Sequence, residues 1–305
     1  MVTVDNRQPP APAHLHPAAR ELSKLPTEER LQRIRADRWI GYPKAVDAVE
    51  RMEVLFGWPR KQRMPNLLLI GPTNNGKSMI VERFRRAHPT VTGPAGENIP
   101  VVCLQMPSEP SALRFYTALL SAIGAPLRPQ RRLPEAERLS LSLLREVGVR
   151  ILVIDEIHNV LAGPGEKRRE FLNLLRFLGN ELHVPLVGVG TREAYLAVRS
   201  DDQLENRFEP FILPLWEVGD EARSLLASFA ASFPLRRPSL IDTEDMTRYL
   251  LARSEGTIGE LARLLTAAAV AAVETGEERI NHRTLTLADY LGPTERRRIF
   301  ERQLL

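Results

Sequence analysis

Three groups of residues have types and spacings suited to handling phosphate. The first is GPTNNGKS at 71–78, a glycine, four variable positions and then Gly-Lys-Ser. It follows the apolar run NLLLI (66–70) and precedes the helical stretch SMIVERFRRAH (78–88). A strand-to-helix loop with a glycine at each end can turn its backbone N–H groups inward onto phosphate oxygens, and the helix amino end adds favourable partial charge. Lys77 is then placed to reach the terminal phosphates of a nucleoside triphosphate, and the Ser78 hydroxyl to hold Mg2+. The expected nucleotide-binding set is Gly71, Pro72, Thr73, Asn74, Asn75, Gly76, Lys77, Ser78 and Met79.

The second group is RILVIDEIHN (150–159), an apolar strand that ends on two acids. Asp155 would lie at the strand's carboxyl end, where such sheets bind ligands, and would order the metal through water. Glu156 is placed to polarise an attacking water as general base. The third group is VGVGTREAY (187–195) with DDQLENRFEP (201–210). Thr191 has two readings, a hydrogen bond to the attacking water or γ-phosphate and a cap on the next helix. Arg207 is a candidate arginine finger for a neighbouring subunit's phosphoryl group, the alternative being an ordinary surface arginine.

Such groups need a scaffold. Five short apolar runs read as buried strands: NLLLI (66–70), VVCLQM (101–106), ILVI (151–154), PLVGV (185–189) and PFILPL (210–215). Between them lie helical stretches. One is SALRFYTALLSAIG (111–124), with Leu113, Tyr116, Leu120 and Ile123 on one face; another is EFLNLLRFLGNEL (170–182), with Phe171, Leu174, Leu175, Leu178 and Leu182. Strands alternating with helices indicate an α/β fold with a five-stranded parallel, doubly wound sheet, because parallel neighbours need a crossover. Two further helices precede it, TEERLQRIRADRW (27–39) and PKAVDAVERMEVLF (43–56), hinged at WIGYP (39–43). From Asp220 onward only helical patterns remain, a small all-helical domain. The expected organisation is a disordered proline-rich start (1–19), a core (20–218), a helical lid (219–292) and a tail (293–305).

The formal net charge of the 305 residues is only +4, but cations cluster in RIRADR (33–38), PRKQR (59–63), RPQRR (128–132), EKRR (166–169) and ERRR (295–298). Local patches of this kind suit a polyanionic partner or are plain solvated surface. Cys103 is the only cysteine, which excludes a disulfide within the chain, and one cysteine with six scattered histidines shows no spacing of a structural metal site. No window approaches the roughly 20 apolar residues that span a bilayer, so the expectation is a cytoplasmic protein with no membrane partner.

The order of these motifs resembles the AAA+ family of oligomeric ATPases: phosphate loop, Asp-Glu strand end, polar residue after the fourth strand, arginine before the fifth, then a helical lid. More narrowly, DRWIGYPKAVDAVERMEVLFGWPRKQRMPNLLLIGPTNNGKS (37–78), VVCLQMPSEPSALRFYTALLSAIGAP (101–126) and RILVIDEIHNVLAG (150–163) resemble the TniB and TnsC transposition ATPases. The resemblance implies ATP-bound subunits that assemble on double-stranded DNA, without sequence preference, as a homo-oligomeric ring or helical filament. They would recruit or activate a transposase similar to TniA or TnsB, with an adaptor of the TniQ type, and hydrolysis would drive disassembly. The alternative is a helicase loader or replication-initiator-like ATPase. In such proteins WIGYP lies beside the base, so Ile40 and Tyr42 are candidate adenine contacts, the other reading being a packed hinge. The candidate DNA contacts are Arg114, Arg128, Arg131 and Arg132, cations that would neutralise backbone phosphates without reading bases. One departure stands out: where many lids carry an arginine that touches the γ-phosphate, EGTIGELARLL (255–265) has Gly259, and Arg263 one turn on is the candidate substitute.

Overall fold

A computed structural model describes residues 12–94, 96–126 and 132–304. The chain divides into two units, Met1–Ile40 with Leu215–Leu305, and Gly41–Pro214. The first unit begins with α1 (Pro17–Leu22) and α2 (Thr27–Arg35). Residues 12–19 differ from the expected disorder. Leu15 is 2% exposed and Ala19 is buried, while the His16 N–H donates to the Ala231 carbonyl at 2.9 Å. Two apolar anchors and a proline in the first helical turn are enough to tie this segment down. Residues 1–11 lie outside the described part.

The second unit carries the sheet. Its α3 (Pro43–Gly57) opens on a proline whose missing N–H is not needed in a first turn. Then come β1 (Asn66–Ile70), α4 (Lys77–Ala87), the short strands β2 (Val91–Gly93) and β3 (Gly96–Asn98), β4 (Val101–Gln105), α5 (Ala112–Ala122) and α6 (Leu133–Glu146). The chain continues through β5 (Ile151–Asp155), a 3-10 turn (Ile157–Ala162), α7 (Gly165–Leu182), β6 (Leu186–Gly190), α8 (Arg192–Arg199), α9 (Asp202–Glu205) and β7 (Phe208–Ile212). The five main strands lie in the order β4-β5-β6-β1-β7, all pairings parallel, and β2 and β3 form a separate exposed antiparallel pair. Every residue of β1 and β6 is buried, as expected of strands covered on both faces.

Topology creates a crevice. The connection from β1 leaves for β4 at one edge, whereas that from its neighbour β6 leaves for β7 at the other. The two diverge at the carboxyl ends of β1 and β6, the kind of switch point where open α/β sheets bind ligands.

Three expectations are corrected in detail. The fifth strand spans 208–212 rather than 210–215; as an edge strand it tolerates Pro210, and the chain after Ile212 turns toward the glycine-rich loop. On α5 the buried face is Phe115, Tyr116, Leu119 and Leu120, and Leu113 is 38% exposed. Phe115 meets Phe171 edge-on, centroids 5.2 Å apart, and that contact sets the helix rotation. On α7, Leu172 is buried and Leu174 only partly so.

The first unit is completed by α10 (Asp220–Ser232), α11 (Glu244–Ser254), α12 (Ile258–Glu274), α13 (His282–Leu287) and α14 (Pro293–Leu304). Its α2 is fastened by Arg30, 1% exposed, whose guanidinium grips Glu278 through two bonds of 2.9 and 2.6 Å. Burial pushes the Glu278 carboxyl up, but the hydrogen bond from Arg30 and the neighbouring cations outweigh it, leaving the group below the ordinary range. The stability it contributes is therefore present above the usual carboxylate range and lost as pH falls through the depressed value. Arg30→Ala strands a buried carboxylate, and urea unfolding should show a loss of about 3–5 kcal/mol. Among the described residues no single helix is long and apolar enough to cross a membrane.

Candidate nucleotide site

The loop after β1 is held by close contacts. Gly71 donates its N–H to the Gly190 carbonyl at 3.1 Å, and a Cβ on Gly71 would come within 3.0 Å of the Leu213 carbonyl oxygen. Gly76, with φ of 84°, occupies the left-handed region that glycine enters without strain. Asn75 is 2% exposed and its amide donates to the carbonyls of Leu213 at 3.1 Å and Pro214 at 2.9 Å. This residue, expected to bind nucleotide, thus also ties the loop to the chain leaving β7. Pro72, Thr73, Asn74 and Met79 are half-buried or exposed around it.

Lys77 opens α4 and is 7% exposed; its ammonium donates to the carbonyls of Gly71 at 2.8 Å and Pro72 at 2.7 Å. Burial pushes its pKa down, opposed by the nearby carboxylates of Glu156 and Asp155. The exposed Ser78 hydroxyl donates to Asp155 Oδ2 at 3.3 Å. Asp155 Oδ1 accepts the Glu156 backbone N–H at 2.8 Å. Ser78, Asp155 and Glu156 line one hollow, together with Gln105 and Cys103. The thiol of Cys103 is pushed up to about 11 by burial, so it stays an unreactive neutral group.

Glu156 has φ of 54°, a left-handed backbone that costs a non-glycine residue roughly 1–3 kcal/mol. Its carboxylate lies 3.1 Å from His158 Nε2. His158 escaped the sequence reading; the only signal is its place two residues beyond the acid, across the tight 3-10 turn. Thr191 lies at the start of α8 but does not cap it; its hydroxyl donates to the Glu193 carboxylate. Thr191 shares with Gly71, Pro72 and Thr73 a mainly apolar pocket.

Arg207 is placed elsewhere. β7 runs parallel to β1 with Asn66 opposite Phe208 and Ile70 opposite Ile212. Arg207 therefore sits at the amino edge of the sheet, a strand length of roughly 17 Å from the loop that follows Ile70. Its guanidinium donates to Asn180 Oδ1 at 2.9 Å, and burial pushes its pKa down, helped by Arg63 and Arg176.

A family model described as bacterial TniB protein matches residues 30–218. The chain belongs to the TniB family. No curated protein matches it. Among solved structures, the Aeropyrum pernix ORC1 protein, determined in complex with DNA, is similar with a TM-score of 0.60 at 19% identity, covering 84% of this chain and 68% of that one. The Aeropyrum pernix ORC2 protein, in ADPNP and ADP complexes, gives 0.56 at 14% identity, covering 84% and 71%. A Walker-type ATPase of Pyrococcus abyssi gives 0.53 at 16%, covering 81% and 72%. At such identities the likeness is one of fold: this TniB-family chain has the architecture of the AAA+ ATPases, a parallel five-stranded sheet flanked by helices and a helical carboxyl-terminal region.

The remaining expected residues are divided between the two units. Tyr42 is buried, its hydroxyl pKa pushed up to about 12 by burial, and belongs to the sheet unit, whereas the buried Ile40 belongs to the other. Arg263 is exposed on α12, also in the other unit. Arg114 is exposed and loosely paired with Glu109 at 3.8 Å, and Arg132 is exposed before α6. Arg128 and Arg131 lie outside the described residues.

Proposed function

We propose that this TniB-family chain binds ATP in the loop 71–78, hydrolyses it, and uses the ATP-bound state to assemble copies of itself on duplex DNA, where the assembly recruits or activates a transposase. The observation that carries the hydrolytic part is the convergence of Lys77, Ser78, Asp155 and Glu156 at the carboxyl ends of β1 and β5. Each has a distinct task. Lys77 holds an ammonium inside the loop, available to terminal phosphate oxygens. Ser78 and Asp155 form a hydroxyl–carboxylate pair of hard oxygen donors, which fits Mg2+. Among the described residues no group of three or more His, Cys, Asp or Glu is placed to hold a metal ion by itself, and Mg2+ needs none when substrate phosphates complete its shell. When bound, the ion would neutralise charge on the β- and γ-phosphates. Glu156 accepts a proton from the attacking water, and His158 steadies its carboxylate. Thr191, on the neighbouring strand end, is available to the γ-phosphate or the water.

Gly71, Pro72, Thr73, Asn74, Asn75, Gly76 and Met79 contribute loop backbone, and Ile40 and Tyr42 are the proposed adenine contacts. Arg263 is the proposed lid contact to the γ-phosphate. Arg207 cannot reach its own chain's loop, so its proposed finger role is exercised on another copy, and a homo-oligomer follows. The DNA contacts are proposed at Arg114 and Arg132, with Arg128 and Arg131 in the connecting loop, and family membership supports a transposase and a TniQ-like adaptor as partners. The test is binding of the purified chain to a plain duplex with ATP, a non-hydrolysable analogue, ADP or no nucleotide, at two salt concentrations, with phosphate release measured in parallel. Salt-sensitive oligomers on DNA in the triphosphate forms alone support the assembly; binding indifferent to nucleotide refutes it.

A further inference from the structure

The general base of the hydrolytic reading stands on left-handed backbone, and its side chain is held from one direction. Among the described residues no basic side chain other than His158 pairs with the Glu156 carboxylate, Nε2 lying 3.1 Å from Oε2. The second ring nitrogen is differently placed. His158 Nδ1 is buried and, among the described residues, has no hydrogen-bond partner. A buried polar atom left unsatisfied costs stability that an apolar side chain of similar size would not. What the imidazole adds at this position is therefore its Nε2, turned to the base.

The end of β6 fixes the ring. Gly190 closes that strand without a positive φ, so its backbone does not call for glycine; space does. A Cβ on Gly190 would lie 3.2 Å from His158 Nδ1 and 2.8 Å from the Ala194 Cβ. The same Gly190 offers its carbonyl to the N–H of Gly71, the first residue of the phosphate loop, at 3.1 Å. A continuous line of contacts thus runs from Gly71 through Gly190 and the His158 ring to the Glu156 carboxylate. The ring is also felt at Glu193, whose carboxyl is held below its ordinary range first by the hydrogen bond from Thr191 and in smaller part by His158. We propose that His158 is a positioning residue: seated against Gly190, it sets the Glu156 carboxylate and ties that setting to the strand end that holds the phosphate loop. This rests on the hydrolytic reading above and deepens it, making the orientation of the base depend on Gly190 as well as on His158.

The test is a mutant cycle read by phosphate release on duplex DNA. His158→Ala should keep the wild-type KM and affinity for a fluorescent ATP analogue, because the phosphate loop is intact, while kcat falls at least about tenfold. His158→Gln, whose amide nitrogen reaches the place of the imidazole Nε2, should recover most of that loss. The pair Gly190→Ala/Ala194→Gly puts a methyl against the ring while removing the Ala194 Cβ it would otherwise strike. By itself this pair should lower kcat by a similar factor; added to His158→Ala it should lower it no further, since the ring it displaces is gone. Melting temperatures report separately on the fold, and the alanine and glutamine variants decide the role of His158 even where the Gly190 pair melts low. Unchanged kcat in His158→Ala, or equal losses in His158→Ala and His158→Gln, overturns the proposal. Losses that multiply when the Gly190 pair is added to His158→Ala overturn the link through Gly190. A Glu156→Gln protein that releases phosphate at the wild-type rate brings down the hydrolytic reading itself, a result separable from all of these.

Discussion

Glu156→Gln is expected to bind ATP like the wild type and to release phosphate about 10²–10⁴-fold more slowly. The amide keeps an oxygen for the contact with His158, 3.1 Å away in the wild type, and nothing in the left-handed backbone at this position depends on charge. Lost is the capacity to take a proton from water. Bound triphosphate then persists, and with it every contact that distinguishes the triphosphate state, so oligomers on duplex DNA should outlive those of the wild type by a factor comparable to the loss in hydrolysis. Imaging of assemblies after dilution reads their lifetime directly. Equal lifetimes for the two proteins would show that hydrolysis does not drive disassembly.

Lys77→Ala is expected to fail one step earlier. Each charge-assisted hydrogen bond from the ammonium to a phosphate oxygen contributes about 1.5–3 kcal/mol, so nucleotide affinity should drop by roughly 10–100-fold or more. Nucleotide-dependent assembly on DNA should be lost with it. The same substitution should leave the folded chain no less stable. Burial holds the Lys77 pKa below its ordinary value, which means that the fold disfavours this charge and tolerates it for binding. A thermal melt of Lys77→Ala without nucleotide at or slightly above the wild-type temperature fits that account. A large destabilisation would assign Lys77 a structural role through its bonds to the carbonyls of Gly71 and Pro72 instead.

Both expectations concern residues that were legible in the sequence, and the reason is locality. GPTNNGKS lies between an apolar run and a helical stretch, and the acids of RILVIDEIHN end an apolar run. Such signals need no knowledge of what packs where. Sheet strands were found for the same reason, since four or five buried branched residues in a row admit few alternatives. The elements that went unread lack that signal. β2 and β3 are three exposed residues each, with no apolar alternation, and α6 spreads its buried Ala136, Leu141 and Leu144 among polar neighbours in LPEAERLSLSLLRE. The α5 face was misplaced by part of a turn because Leu113 is as apolar as Leu119, and only the packing of Phe115 on Phe171 selects between them.

By itself the sequence determined the two acidic and basic halves of the nucleotide chemistry, their order along the chain and the α/β class, because each depends on residues within one strand, loop or helix. Tertiary structure decided which of these meet. Neighbours in a parallel sheet are not neighbours in sequence, so the order β4-β5-β6-β1-β7 follows from crossovers and burial rather than from any local pattern. That order brings the end of β6, with Thr191, against the loop after β1, and it carries Arg207 to the opposite edge of the sheet. The pairing of Asn66 with Phe208 then draws Lys61 and Arg63 of PRKQR into one cavity with Arg207.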